Sequence, residues 1–204
     1  TQAGLSDRQR HSEPIESFLA FFARLPGDWE IKLSGGEPTQ HPRFLDIVAG
    51  LAAQGRRVGM VTNLSTSRAT LETFAATTAA RPGLVSASLH LEYTSSERFF
   101  ERALWLSERH RGGLVLTAVA TRALLPRLPE LAARARALGL NFKIQPEKRD
   151  RDVIDYAPHE REQLLALGGH NGTGHVDPDL SGRPCWAGSR YFILDDRGEA
   201  WRCY

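Results

Sequence analysis

A repeated rhythm constrains this chain more than any single residue does. Short apolar runs at residues 29–33, 58–62, 84–90, 114–120 and 140–145 read as buried strands. Their starts recur roughly every 27 residues, the size of one strand-helix unit. Between them apolar residues fall at helical spacing: Phe44, Leu45, Val48 and Leu51, then Phe99, Phe100, Ala103 and Leu104, then Leu128, Leu131 and Ala135. Pro42 precedes the first of these helices, Thr94 and Glu97 offer a capping box before the second, and Gly55, Gly112 and Gly139 mark helix ends. The order βαβαβαβαβ demands a parallel sheet with right-handed crossovers. Such units commonly curl into a full or partial barrel, an α/β fold whose chemistry sits at the carboxyl ends of the strands.

The rhythm breaks after the fifth strand. A charged stretch at 147–155, a helix at 159–167 and a glycine-rich loop at 168–174 lead to a hairpin of 191–194 and 199–201, turning through Asp195, Asp196, Arg197 and Gly198. The domain boundary is expected near Gly182, dividing a barrel core of 1–181 from the start of a second domain at 182–204.

Composition narrows the function classes. With 41% hydrophobic and 25% charged residues over 204 positions, the chain has ample material for one sizeable core. It contains no apolar run of about 18 residues and no charged-then-apolar leader pattern, so no membrane role is expected. A formal net charge of +2 gives no reason to expect nucleic acid, although arginine dominates and Lys32, Lys143 and Lys148 are the only lysines. The two cysteines, Cys185 and Cys203, do not make a secreted disulfide framework, and the chain reads as cytoplasmic. It begins at Thr1 and stops at Tyr204, and is read as an excerpt from a longer protein.

The sharpest local feature is Ser34-Gly35-Gly36-Glu37-Pro38, directly after the first strand. Paired glycines let backbone approach a small ligand closely; equally, they can serve a plain strand-to-helix turn that Pro38 closes. The second strand ends in Thr62-Asn63-Leu64 and the third in Ser88-Leu89-His90, with Glu92 and Tyr93 following as candidates for substrate contact. The Ser88 hydroxyl can donate and accept, as a ribose hydroxyl requires. His90 fits a satisfied barrel histidine as well as a substrate contact. Gln145 follows the apolar Phe142 and Ile144 alternation and points into the barrel, whereas Arg122 and Glu147 fit solvated strand-end charges.

These segments, in this order, resemble radical S-adenosylmethionine (SAM) enzymes. Gly35-Gly36-Glu37-Pro38 is similar to the GGEP motif of that family, Thr62-Asn63-Leu64 to its Thr-Asn-Gly strand end with leucine in place of glycine, and Ser88-Leu89-His90 to its Ser-Leu-Asp strand end with histidine in place of aspartate. The resemblance implies a partial (β/α)6 barrel with five βα units in view and the first strand missing. It also implies that Gly35, Gly36 and Glu37 take the methionine end of SAM, Thr62 and Asn63 its carboxylate, Ser88 the ribose, and Gln145 the adenine or substrate side. The family holds a 4Fe-4S cluster through a Cys-x3-Cys-x2-Cys loop. No such motif occurs in this chain, and its ligands are expected upstream of Thr1. The implied reaction is reductive cleavage of SAM to a 5'-deoxyadenosyl radical that takes hydrogen from a peptide, a protein or a small molecule, with flavodoxin or ferredoxin as electron donor.

A second likeness lies at the carboxyl end. Cys185, twelve residues, Gly198, four residues and Cys203 resemble the opening of the auxiliary iron-sulfur extension called SPASM or Twitch, which implies Cys185 and Cys203 as metal ligands. Soft thiolates are what such clusters take. A cross-strand disulfide, two free thiols, or a zinc site with His170, His175 and Cys185 are the alternatives. Two other functions compete: a non-catalytic barrel that binds peptides, and an unrelated phosphate-binding barrel lyase or isomerase. The latter is disfavoured because Lys32 and Lys143 lie inside strands and Lys148 lies past one.

Overall fold

A parallel strand covered by helices on one face alternates in burial, and the middle strand of this protein does so along its whole length. In Pro82–Ser88, residues Gly83, Val85 and Ala87 are buried and the four between them half-buried. The computed structural model describes residues 14–149, 152–167 and 184–202. Strands β1 (Glu30–Leu33), β2 (Arg57–Thr62), β3 (Pro82–Ser88), β4 (Leu114–Ala120) and β5 (Asn141–Pro146) form one sheet in chain order. Every neighbouring pair is parallel. The result is an α/β fold with a five-stranded parallel sheet, in keeping with a partial barrel. Among the described residues no pairing of β1 with β5 closes it.

Four helices connect the strands: α2 (Phe44–Ala53), α3 (Arg68–Thr77), α4 (Ser96–Ser107) and α5 (Leu128–Ala137). Right-handed crossovers between strands in sequential order place such helices on one face. Burial agrees, since Val58, Met60, Val85, Ala87, Leu116, Ala118 and Ile144 are at most 2% exposed. Phe44 of α2 stacks on Phe74 of α3, and Phe100 of α4 meets Phe142 of β5, with ring centroids 6.2 Å apart in each pair. Each such aromatic removes a large apolar area from water and stabilises the layer by about 1.5–3 kcal/mol.

Local signals were off by one residue in two places. Ser95, not Thr94, caps α4 by accepting the Arg98 N–H, while the Glu97 carboxylate accepts the Ser96 hydroxyl. The left-handed residue before β4 is Gly113, at φ 90°, whereas Gly112 lies so near β3 that a Cβ there would meet the Gly83 carbonyl oxygen at 2.2 Å. Helix α3 fills the place that the order βαβαβαβαβ leaves between β2 and β3, although no helical stripe marked it. It carries three threonines and only Leu71, Phe74 and Ala75 as buried anchors, too thin a stripe to announce itself.

After β5 the chain turns back on the sheet. A short antiparallel pair, β6 (Lys148–Arg149) and β7 (Asp152–Val153), leads to Tyr156, whose hydroxyl donates to the Ala120 carbonyl and accepts the Glu147 N–H, both at 2.7 Å. Helix α6 (Pro158–Ala166) follows, with the Glu160 carboxylate taking the Ala157 N–H at 2.7 Å.

Residues 1–27 and 179–204 form a compact unit separate from 28–178. In it, helix α1 (Ile15–Arg24) brings Phe21 against Phe192 at 6.2 Å, edge to face. The antiparallel pair β8 (Ile193–Leu194) and β9 (Ala200–Trp201) supplies a short hairpin. Its turn is held by Asp195, whose carboxylate accepts the Arg197 and Glu199 N–H groups and the Trp201 indole. The expected boundary residue Gly182 lies outside the described residues.

His110 ties the amino end of β3 to the helix layer. Its Nε2–H donates to the Gly83 carbonyl at 2.7 Å, its ring lies 5.4 Å from that of Phe74, and it is 3% exposed. Burial holds its pKa below the ordinary histidine value, against the opposing pull of the Gly83 bond. The unfolded chain therefore takes up a proton at about pH 6.5 that the fold refuses. Stability from this residue is full above that pH and is lost as pH falls toward the lower folded value. The urea midpoint should drop between pH 7 and pH 5, and drop less in His110→Gln; an equal drop in the variant would show that other groups set the dependence.

Candidate functional site

The chemistry-bearing segments of the sequence all lie at the carboxyl ends of β1, β2, β3 and β5. At the end of β1, Gly35 and Gly36 have φ of 101° and 51°, backbone that a side chain would strain. No atom lies within 4 Å of where a Cβ would stand on either. Steric crowding is thus not what selects glycine here. The requirement is the left-handed backbone, and the resulting turn is exposed and open to a ligand.

Glu37 fastens this turn to β2. Its Oε1 accepts the Thr39 N–H at 3.3 Å, the Thr39 hydroxyl at 2.7 Å and the Thr62 hydroxyl at 2.9 Å, and its Oε2 accepts the Asn63 N–H at 2.6 Å. Bonds to an ionised acceptor are roughly twice as strong as neutral ones. Thr62 is 2% exposed. Its hydroxyl gives its one proton to Glu37 and accepts the Leu64 N–H at 3.0 Å, so it works inside the protein.

Asn63 is half-buried, and its Oδ1 accepts the Ser65 N–H at 2.8 Å. The Nδ2 donors of its amide remain to meet an acceptor such as a carboxylate. Leu64 takes φ 57°, the left-handed region favoured by glycine. Strain of roughly 1–3 kcal/mol attends that choice. It is offset by complete burial of the side chain and by the Arg102 guanidinium, which donates to the Leu64 carbonyl.

At the end of β3 the Ser88 Oγ lies 2.9 Å from Thr117 Oγ1 of β4, a partner the sequence reading missed. The two-residue period of a strand was the available signal, because it sets Thr117 on the face opposite Leu116. Beyond Ser88, His90 and Tyr93 approach with ring centroids 6.2 Å apart, and Tyr93 is 71% exposed. Gln145 is exposed and pairs in register with Val119. Arg122 donates to the Asp155 carbonyl at 2.9 Å and helps hold the chain that follows β5.

The sheet order puts Gly36 and Gln145 on opposite edge strands. Four strand spacings amount to about 19 Å on a flat sheet, so a single ligand reaches both only if the sheet curls. Gly35, Gly36, Asn63 and Ser88 sit on three consecutive strands and form the tighter group.

In the smaller unit Cys185 is an exposed free thiol whose Sγ accepts the Ala187 N–H at 3.4 Å. Cys203, His170 and His175 lie outside the described residues. Among those described, no group of three or more His, Cys, Asp or Glu side chains is placed to hold a metal ion. No described helix is long and apolar enough to cross a membrane.

No family model and no curated protein matches the chain. A solved structure does. The chain is similar to a domain of the pyruvate-formate lyase-activating enzyme from Bacteroides vulgatus, with a TM-score of 0.52 over 69% of this chain and 92% of that one. The likeness is one of fold. At 16% identity it speaks for the arrangement of strands and helices and leaves the chemistry to the residues.

Glu37→Gln tests the tie between β1 and β2. One acceptor oxygen would remain, and an amide N–H would confront a donor at Asn63 or Thr62. A stability loss of about 1–3 kcal/mol is expected, measured by urea denaturation.

Proposed function

We propose that this chain is the SAM-binding part of a radical SAM enzyme. The observation that carries the reading is the placement of Gly35-Gly36-Glu37, Thr62-Asn63 and Ser88 at the carboxyl ends of three consecutive parallel strands, in the order of the family likeness. The fold match to a domain of an enzyme named for activating another enzyme supports it and favours a protein or peptide substrate over a small molecule.

The residues fit the group they would hold. The open Gly35-Gly36 turn admits an ammonium or carboxylate against bare backbone. The Asn63 amide can donate to the methionyl carboxylate. In the Ser88–Thr117 pair one hydroxyl proton is spent between the two oxygens and one is left for a ribose oxygen. Glu37 and Thr62 serve as positioning residues: their side-chain bonds fix the turn and the Asn63 backbone rather than reaching SAM. Gln145 would border the adenine or the substrate. When bound, SAM and a 4Fe-4S cluster, reduced by a donor such as flavodoxin or ferredoxin, supply the 5'-deoxyadenosyl radical that takes hydrogen from the substrate. The described residues offer no ligand set for that cluster.

Isothermal titration of the full-length protein with SAM tests the site. Saturable binding is expected, weakened at least tenfold by Asn63→Leu, and anaerobic reconstitution with iron and sulfide should give SAM-dependent 5'-deoxyadenosine. A well-reconstituted protein that binds no SAM would refute the proposal.

For the smaller unit we propose an auxiliary iron-sulfur site of the SPASM or Twitch kind that uses Cys185 and Cys203. An amide N–H is directed at the Cys185 sulfur, the kind of hydrogen bond that tunes cluster sulfurs, and the neighbouring hairpin is the element that such a site would need. Cys185→Ala should lower the iron content of the reconstituted protein and leave SAM binding intact. Unchanged iron would remove the auxiliary site.

A further inference from the structure

Lys143 stands on the sheet face that the helices do not cover. Its neighbours in β5 point the other way: Phe142 meets the Phe100 ring, and Ile144 is 1% exposed. The ladder sets Lys143 beside Thr117, and Thr117 beside Ser88, in one row across three strands. The 2.9 Å contact between the two hydroxyls shows that this row shares a face. Lys143 is half-buried, and its ammonium makes no ion pair or hydrogen bond with a described residue.

From β2 to β5 the rest of the carboxyl half of this face is uncharged, since the ladder assigns to it Val61, Ser86, Val119 and Gln145 besides the two hydroxyls. Of the other charged side chains on the face, Glu30 and Arg57 begin their strands, and Lys32, exposed on the edge strand β1, is itself a cation and offers Lys143 no counter-charge. Glu30 accepts the Leu84 N–H at 3.0 Å, and Arg57 pairs with Asp28 at 3.7 Å. A partly desolvated cation without a counter-charge is unfavourable unless a ligand brings one.

We infer that Lys143 anchors a carboxylate of the substrate, with the Ser88–Thr117 pair beside it. One ammonium matches a monoanion, whereas a phosphate dianion would be left under-neutralised. Carboxylate selection deepens the SAM-enzyme reading and rests on it: it seats the acid next to the strand end assigned to the ribose.

The test is titration of the full-length protein with three probes: N-acetylglutamate N-methylamide, which carries a side-chain carboxylate; N-acetylglutamine, which carries a terminal one; and N-acetylglutamine N-methylamide, which carries none. One acid at least should bind tenfold or more tightly than the neutral probe, and the one that does tells a peptide side chain from a chain terminus. Lys143→Gln should erase the preference and Lys143→Arg keep most of it, with both variants matching the parent by circular dichroism. A preference that survives Lys143→Gln, equal affinity for all three probes, or no saturable binding by either acid overturns the inference. SAM affinity should be the same in Lys143→Gln; a tenfold loss would assign the lysine to the cofactor and overturn it too. If SAM fails to bind the parent while the acid preference and its loss persist, the carboxylate site stands and the cofactor reading falls.

Discussion

The carboxylate of Glu37 is the constraint on which the candidate site depends. Two successive glycines in left-handed conformations are entropically the costliest residues to order, and the turn they form is exposed. Four donors from the turn and from the end of β2 converge on one carboxylate and join two strand ends that the parallel ladder leaves free. Charge-assisted bonds of this kind supply both energy and direction. Asn63 thereby receives a fixed backbone, and its side-chain amide a defined orientation.

The two ends of the sheet are built for different purposes. At the amino end, Gly59, Gly83 and Gly112 let backbone approach backbone more closely than any Cβ allows, and His110 plugs the seam from the helix side. At the carboxyl end, hydroxyls, an amide and an open glycine turn face outward, and Tyr156 closes the gap after β4 and β5 with a single hydroxyl that both donates and accepts. A rigid floor beneath an open rim is the division of labour common to barrels of parallel strands, where packing lies below and chemistry above.

Much of this was legible in the sequence. All five strands were expected within two residues of where they lie, because short apolar runs recurring at the length of a strand-helix unit form a pattern that helical spacing does not mimic over so many repeats. Helix α3 was expected only as a place in the strand-helix order, because threonine and alanine carry little amphipathic contrast. Capping was misplaced by one residue at Thr94, where Ser95 competes for the same role with the same chemistry. Within the site, the candidate positions could be named but not their division of labour: Glu37 and Thr62 have the atoms to bind a ligand, and only their mutual distances show those atoms engaged with each other.

What the sequence determined by itself was the rhythm of strands and helices, and with it the parallel sheet and the end of that sheet where polar residues gather, since local periodicity and glycine placement fix these without reference to distant contacts. What only the tertiary structure decided was partnership. Thr117 meets Ser88 from a different strand, Lys143 shares their face through register, and residues 1–27 join 179–204 in one unit. Each of these pairings depends on packing between segments remote in the chain, about which no local pattern carries information.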